Sequence, residues 1–190
     1  GLNGFVELSY SNFVLKNGEA KDLIVHFNVS GKDNGVYLEK IIIENGRYSR
    51  QIPVILNVQD SDSDLVVMQS ILPQYQNVYP GGKFGVEIKI YALKDKTPLN
   101  VGGEYYLADF NGNKIFSDKE NLIVKESLTI NKIVNIPEAT PKGDYVFVTS
   151  IDNNGVKSFT SYFFQIGDKE STDQFNFYYL ILLIVVILLS

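Results

Sequence analysis

The sequence has no cysteine, one histidine, His26, and one methionine, Met68. Without cysteine there are no disulfides, no thiolate nucleophile and no zinc site built on thiolates. Extracellular eukaryotic domains commonly rely on disulfides, so a cysteine-free ectodomain fits a bacterial or archaeal surface better. His26 has no second imidazole with which to share a metal ion and no nucleophile to serve, and it reads as a surface residue. Because the only methionine is internal, the chain reads as a fragment or processed product. Positive charge is also scarce: 17 Lys and Arg stand against 22 Asp and Glu, a formal charge of -5. With no basic stripe to neutralise a phosphate backbone, nucleic acid is not an expected partner. No G-x-S-x-G, P-loop or H-E-x-x-H occurs, so no enzyme is expected on these residues.

The acidic excess is localised. Residues 1–58 carry six basic and six acidic side chains, whereas Asp60, Asp62 and Asp64 form one acidic stretch and Asp168, Glu170 and Asp173 most of another. Between these stretches the dominant pattern has a period of two. Phe84, Val86, Ile88 and Ile90 alternate with polar residues or glycine over Lys83 to Tyr91, which predicts a strand with one buried face. Asp22 to Ser30 reads likewise, with Leu23, Val25, Phe27 and Val29 inward, and so does Arg50 to Val58, with Ile52, Val54, Leu56 and Val58 inward. Turn-forming clusters separate such runs at Asn45-Gly46, Pro80-Gly81-Gly82, Asn111-Gly112-Asn113 and Asn153-Asn154-Gly155. Asn-Gly pairs tolerate the positive φ angles of type I′ hairpin turns. With no helical period before residue 175, the expected fold is all-β: tandem immunoglobulin-like antiparallel β-sandwiches followed by a C-terminal transmembrane helix.

The expected boundaries follow composition. Residues 1–58 form an Ig-like domain lacking its first strands, 59–64 an acidic and self-repelling linker, and 65–166 a second Ig-like domain. Residues 167–174 form a juxtamembrane stem and 175–190 a truncated helix. The two domains look like repeats: Asn12 to Lys16 aligns with Asn121 to Lys125 at an offset of 109. Gly35-Val36-Tyr37 aligns with Gly143-Asp144-Tyr145 at 108, and Asn45-Gly46 with Asn154-Gly155 at 109. On that alignment the first domain lacks about 45 upstream residues, and 58 residues alone make a marginal core.

The stretch Leu15-Lys16-Asn17-Gly18-Glu19, the strand Asp22 to Val29, Gly35-Val36-Tyr37 and the closing Ile52-Pro53-Val54-Ile55-Leu56-Asn57-Val58 carry a resemblance. They are similar to the second half of Ig-like modules of the abnormal-spindle/Hydin type and of those attached to bacterial α-galactosidases. Residues 65–166, with Ile136-Pro137, Gly143 and Tyr145, more loosely resemble Ig-like and macroglobulin-like repeats of archaeal and bacterial surface proteins. The resemblance implies a fold, and a fold alone does not supply a function.

Individual candidates are few. Asp60, Asp62 and Asp64 have the alternate spacing of calcium ligands, but Leu65 and Ile71 stand where an EF-hand loop needs Gly and Glu. An interdomain calcium clamp is the alternative to a simply solvated linker; no other cofactor is expected. Asn28-Val29-Ser30 is the only N-x-S/T sequon, making Asn28 a glycosylation candidate. Asp118 with Glu120, or Asp109 beside Asn111, suggests a glycosidase pair, but these residues sit near predicted turns, where Asp bonds its own backbone.

The run Phe177 to Leu189 is thirteen apolar residues long. At ~1.5 Å per residue it covers about 20 Å of the ~30 Å hydrocarbon layer, so it reads as the start of a membrane anchor. Phe175, Phe177, Tyr178 and Tyr179 mark its interfacial edge. The acidic stem places the N-terminal ectodomain outside a single-pass cell membrane. The expected partners are membrane lipid and a protein or glycan at the cell surface. The expected role is a non-catalytic structural spacer or adhesion and docking module. The alternatives are the stalk of a larger surface glycosidase or protease, and an accessory ectodomain subunit of a membrane complex.

Overall fold

The computed structural model describes residues 6–59, 62–93 and 98–169. These residues form eleven strands, a single 3-10 turn at Pro73–Tyr75 and no α-helix, and every ladder is antiparallel. No helix among them is long and apolar enough to cross a membrane. The run from Phe177 to Leu189, with Phe175, Phe177, Tyr178 and Tyr179, lies outside the described residues.

The C-terminal part is a two-layer sandwich. One sheet has the order β5 (Leu65–Ile71), β6 (Lys83–Ala92), β9 (Ser127–Asn135). The other has the order β11 (Val156–Ile166), β10 (Gly143–Asn153), β7 (Leu99–Asp109), β8 (Lys114–Val124). The period of two in β6 does what it predicts: Phe84, Val86, Ile88 and Ile90 are fully buried against Tyr105, Leu107, Phe147 and Ile151 of the facing sheet. Phe84 stacks on Phe164 across the layers at 4.2 Å between ring centroids and lies 5.4 Å from Phe147. A polar link crosses the middle of this core, where Thr149 donates to Gln69 Oε1 at 2.8 Å while Gln69 Nε2 donates to the Phe147 carbonyl at 2.9 Å. Both ends of the Gln69 amide are thereby satisfied, as burial demands.

A third layer covers the outside of the four-stranded sheet. The hairpin β3 (Gly35–Glu44) and β4 (Ser49–Val58) lays Val36, Leu38 and Ile55 on Phe110, Val146, Val148, Tyr106 and Phe163. This explains why Val146 and Val148 of β10 are buried along with their inward-facing neighbours Tyr145 and Phe147: here the strand is covered on both faces. The flanks of the acidic stretch are fastened to β11. Ser161 donates to Asn57 at 3.0 Å, the Phe159 amide donates to Gln59 at 3.2 Å, and Ser158 donates to the Leu65 carbonyl at 3.0 Å.

Several sequence expectations change. The strand expected over Asp22 to Ser30 shrinks to β2 (Val25–Phe27), which pairs only with β1 (Val6–Leu8), and Phe27 and Val29 are exposed rather than inward. A three-residue ladder gives those side chains no facing layer. In β4 the residue that packs on the middle sheet is Ile55, and Ile52, Val54, Leu56 and Val58 lie on the opposite face of the hairpin. The Asn154-Gly155 turn has φ of 53° and 92°, positive at both residues as a type I′ turn requires. Asn45-Gly46 differs. Its loop spans four residues, only Gly46 has positive φ, and Asn45 Oδ1 accepts the amides of Arg47 and Tyr48.

Candidate functional site

The residues singled out from sequence do not converge on one place. His26 is exposed on β2, opposite Glu7. Asn28 is exposed and accepts the Ser30 amide at 3.1 Å, a local turn that leaves its side chain at the surface. Asp60 lies outside the described residues; the Asp64 carbonyl accepts the Leu93 amide at 2.8 Å. Among the described residues no three His, Cys, Asp or Glu side chains are grouped to hold a metal ion. Asp109 behaves as a turn residue, its carboxylate accepting the amides of Asn111 at 2.8 Å and Asn113 at 2.9 Å and the Asn113 side chain at 2.8 Å. Burial pushes its pKa up, and these Asn113 and Asn111 hydrogen bonds outweigh it and hold the carboxyl below its ordinary range.

Asp118 and Glu120 depart from expectation, because they sit within β8 rather than at a turn. Their partner is Lys132 of β9, which sequence reasoning did not single out. Its ammonium lies 3.0 Å from each carboxylate and 4.4 Å above the Tyr105 ring, and the Tyr105 hydroxyl donates to Glu120 at 2.8 Å. Since β8 and β9 are edge strands of different sheets, this cluster closes one open side of the sandwich with charge-assisted hydrogen bonds. The Lys132 bond holds Asp118 below the usual carboxylate range. Burial alone would lower the Lys132 ammonium, but Asp118 and Glu120 raise it above its ordinary value. Burial, then the Glu120 hydrogen bond, pushes the Tyr105 phenol far up. The signal available in the sequence was a run of charge within a strand-length segment, Asp118-Lys119-Glu120, which a free edge tolerates and a central strand does not.

A polar depression of about 370 Å³ opens on the outer face of the four-stranded sheet. Gly102 removes a side chain from its floor. Glu104, Lys119, Asn121, Ser150, Asp152 and Lys157 form its rim and walls. Glu104 lies 3.6 Å from Lys119 and 3.8 Å from Lys114, and Asp152 accepts the Gly155 amide at 2.7 Å. These carboxylates are engaged by lysines and backbone, and the surface offers donors and acceptors side by side. Such a surface suits hydrogen bonding to a polar partner.

No known protein family matches the sequence, and no curated protein matches it. Among solved structures, the sporulation control protein of Bacillus subtilis is 12% identical over 56% of this chain and 51% of its own, with a TM-score of 0.43. The chain thus spans about half the length of that protein. A family 123 glycoside hydrolase from Clostridium perfringens is 10% identical over 56% of this chain and 28% of its own, with a TM-score of 0.41. The CARDB domain of a Pyrococcus furiosus protein, solved with di-metal ions, is 14% identical over 59% of this chain and 93% of its own, with a TM-score of 0.36. The sandwich assignment rests on the two packed sheets themselves.

Proposed function

We propose that the chain is a non-catalytic, membrane-anchored surface protein of a prokaryote, its β-sandwich acting as a spacer and docking module. The observation that carries this reading is the path of the chain. It enters the sandwich at Leu65, beside Ser158 near the start of β11, and leaves at Ile166, opposite Gly143 at the other pole. Eight residues of strand at ~3.3 Å each separate the two points by about 26 Å. A module whose ends lie at opposite poles adds its length to a stalk, whereas one whose ends meet adds none.

The exit supports the same reading. The Gly167 amide donates to the Val78 carbonyl at 2.9 Å, Lys142 pairs with Asp168, and Lys169 lies 5.6 Å from the Tyr79 ring centroid. The stem therefore starts from a fixed pole rather than a loose tail. Phe177 to Leu189 follows within ten residues, and the ectodomain is assigned to the outside of the membrane. The polar depression is the docking face for a protein or glycan.

Flotation with phosphatidylcholine vesicles tests the anchor. The protein carrying residues 170–190 is expected to float with the vesicles, and the same protein ended at Lys169 to stay in the dense fraction. If both forms stay in the dense fraction, the anchor is wrong; if both float, lipid is held by the β-domain instead.

A further inference from the structure

Two consecutive glycines stand inside β7, a strand paired on both sides, where a glycine weakens the ladder and calls for a reason. Gly103 has one on the inner face: a Cβ there would stand 2.7 Å from the Tyr105 hydroxyl oxygen and 3.3 Å from Leu122. Gly102 has none. Its φ is not positive, and a Cβ would meet nothing nearer than the Asp152 Cβ at 3.9 Å, an ordinary contact. A strand glycine that neither backbone nor packing requires marks a place where another molecule comes down onto the chain.

Gly102 is the floor of the polar depression, and the ladders set its walls. Lys157, Asp152, Gly102 and Asn121 form one row across the four strands, and Ser150, Glu104 and Lys119 stand in the next outward-facing row. With strands about 4.8 Å apart, the Asp152 and Asn121 backbones are about 10 Å apart with only the Gly102 methylene between them, and the second row closes the recess about 7 Å along the strand. Ser150 lines this recess at 6% exposure, and its hydroxyl makes no hydrogen bond with any described residue. Buried hydroxyls are ordinarily paired. Asp152 commits Oδ1 to the Gly155 amide, whereas its other oxygen and the Asn121 carboxamide have no partner among the described residues.

Floor and walls together select a ligand class. Because β7 is laddered on both sides, the floor offers no free strand edge, which excludes an added peptide strand. Glu104, Glu120 and Asp152 against Lys119 and Lys157 leave the lining close to neutral, so it favours neither a polyanion nor a polycation. What fits is a molecule with a carbon face and a rim that both donates and accepts hydrogen bonds. A sugar ring is such a molecule: its C–H face suits the glycine methylene, and its hydroxyls suit a carboxylate, a carboxamide and a hydroxyl at once. We infer that the recess binds a neutral hexose ring of a glycan chain, seated on Gly102 with its hydroxyls on Asp152, Asn121 and Ser150. The inference rests on the docking role proposed for this face and narrows the partner to a glycan.

The test uses the whole chain in a sugar-free detergent with α- and β-linked hexasaccharides of glucose, mannose and galactose, binding being read by saturation transfer from protein to sugar protons. At least one saccharide is expected to bind the parent. Gly102→Val fills the floor and is expected to weaken that binding about tenfold or more. Its thermal midpoint should stay equal or rise, because valine suits a strand interior better than glycine. Ser150→Ala removes one hydrogen bond and is expected to weaken binding about fivefold. A parent that binds none of the saccharides overturns the inference, and so does binding that survives both substitutions. A lowered midpoint in Gly102→Val with undiminished binding in Ser150→Ala also overturns it, since the glycine is then a packing residue. Should Gly102→Val not fold, the Ser150→Ala result decides. Flotation reads the anchor independently: a chain that floats but binds no saccharide loses this inference and keeps the proposed anchored module, whereas one that binds saccharide without floating loses the anchor alone.

Discussion

At Gly85 the missing side chain is what allows the Tyr75 ring to lie on β6: a Cβ there would stand 2.1 Å from the ring. Gly85→Ala is therefore expected to destabilise the sandwich by about 1–3 kcal/mol in urea unfolding, the usual cost of overpacking. Tyr145→Phe deletes one hydrogen bond to the Pro141 carbonyl and should cost about 1 kcal/mol by the same measurement. The Lys132 cluster gives a pH dependence. Asp118 is depressed in the folded protein, so its contribution is present above the unfolded value near ~3.9 and is lost as pH falls through the folded value. Lys132 is raised, so its own contribution is present below an unfolded value of ~10.4 and is lost as pH rises through the folded one. Melting temperatures between about pH 2 and pH 5 should fall less steeply in Lys132→Gln than in the parent protein. Equal slopes would show that the cluster does not contribute to acid stability.

Among the elements, β10 carries the clearest test of the layered packing. Phe147→Ala, on the inner face, should cost about 3–5 kcal/mol. Val148 points the other way, towards the β3–β4 hairpin, and Val148→Ala should cost about 2 kcal/mol. Were that face open to water, the change would stay within about 0.5 kcal/mol. The same contrast separates what the residues announced from what they concealed. In β6 the alternation of Phe84, Val86, Ile88 and Ile90 with polar neighbours gave both the strand and its buried face, because one side of that sheet meets water. β10 reads Tyr-Val-Phe-Val-Thr-Ser-Ile from residue 145, and its lack of alternation was the available sign of cover on both sides. Asp22 to Ser30 alternates well yet is mostly not a strand, since alternation only proposes a face and a partner layer must exist to bury it. Asp118 and Glu120 were seen, but Lys132 was not, because a contact between edge strands of two sheets leaves no mark in local sequence spacing.

At the scale of the whole molecule, the acidic stretch between the β3–β4 hairpin and β5 is flanked by bonds from Asn57, Gln59 and Leu65 to β11. Protein–protein contacts already fix its ends, so the midpoint of thermal unfolding should be the same in calcium and in chelator. A rise with calcium would establish the carboxylate clamp. The opposite poles of entry and exit are what the proposed stalk role draws on, and the apolar run after the stem is its proposed anchor. The central claim is that this stalk stands outside a cell. Ile123→Cys, exposed on β8 of a sequence with no cysteine of its own, measures it directly when whole cells producing this chain are treated with a membrane-impermeant maleimide. Labelling of intact cells equal to that of lysed cells is the predicted result, and labelling that appears only after lysis would contradict the account.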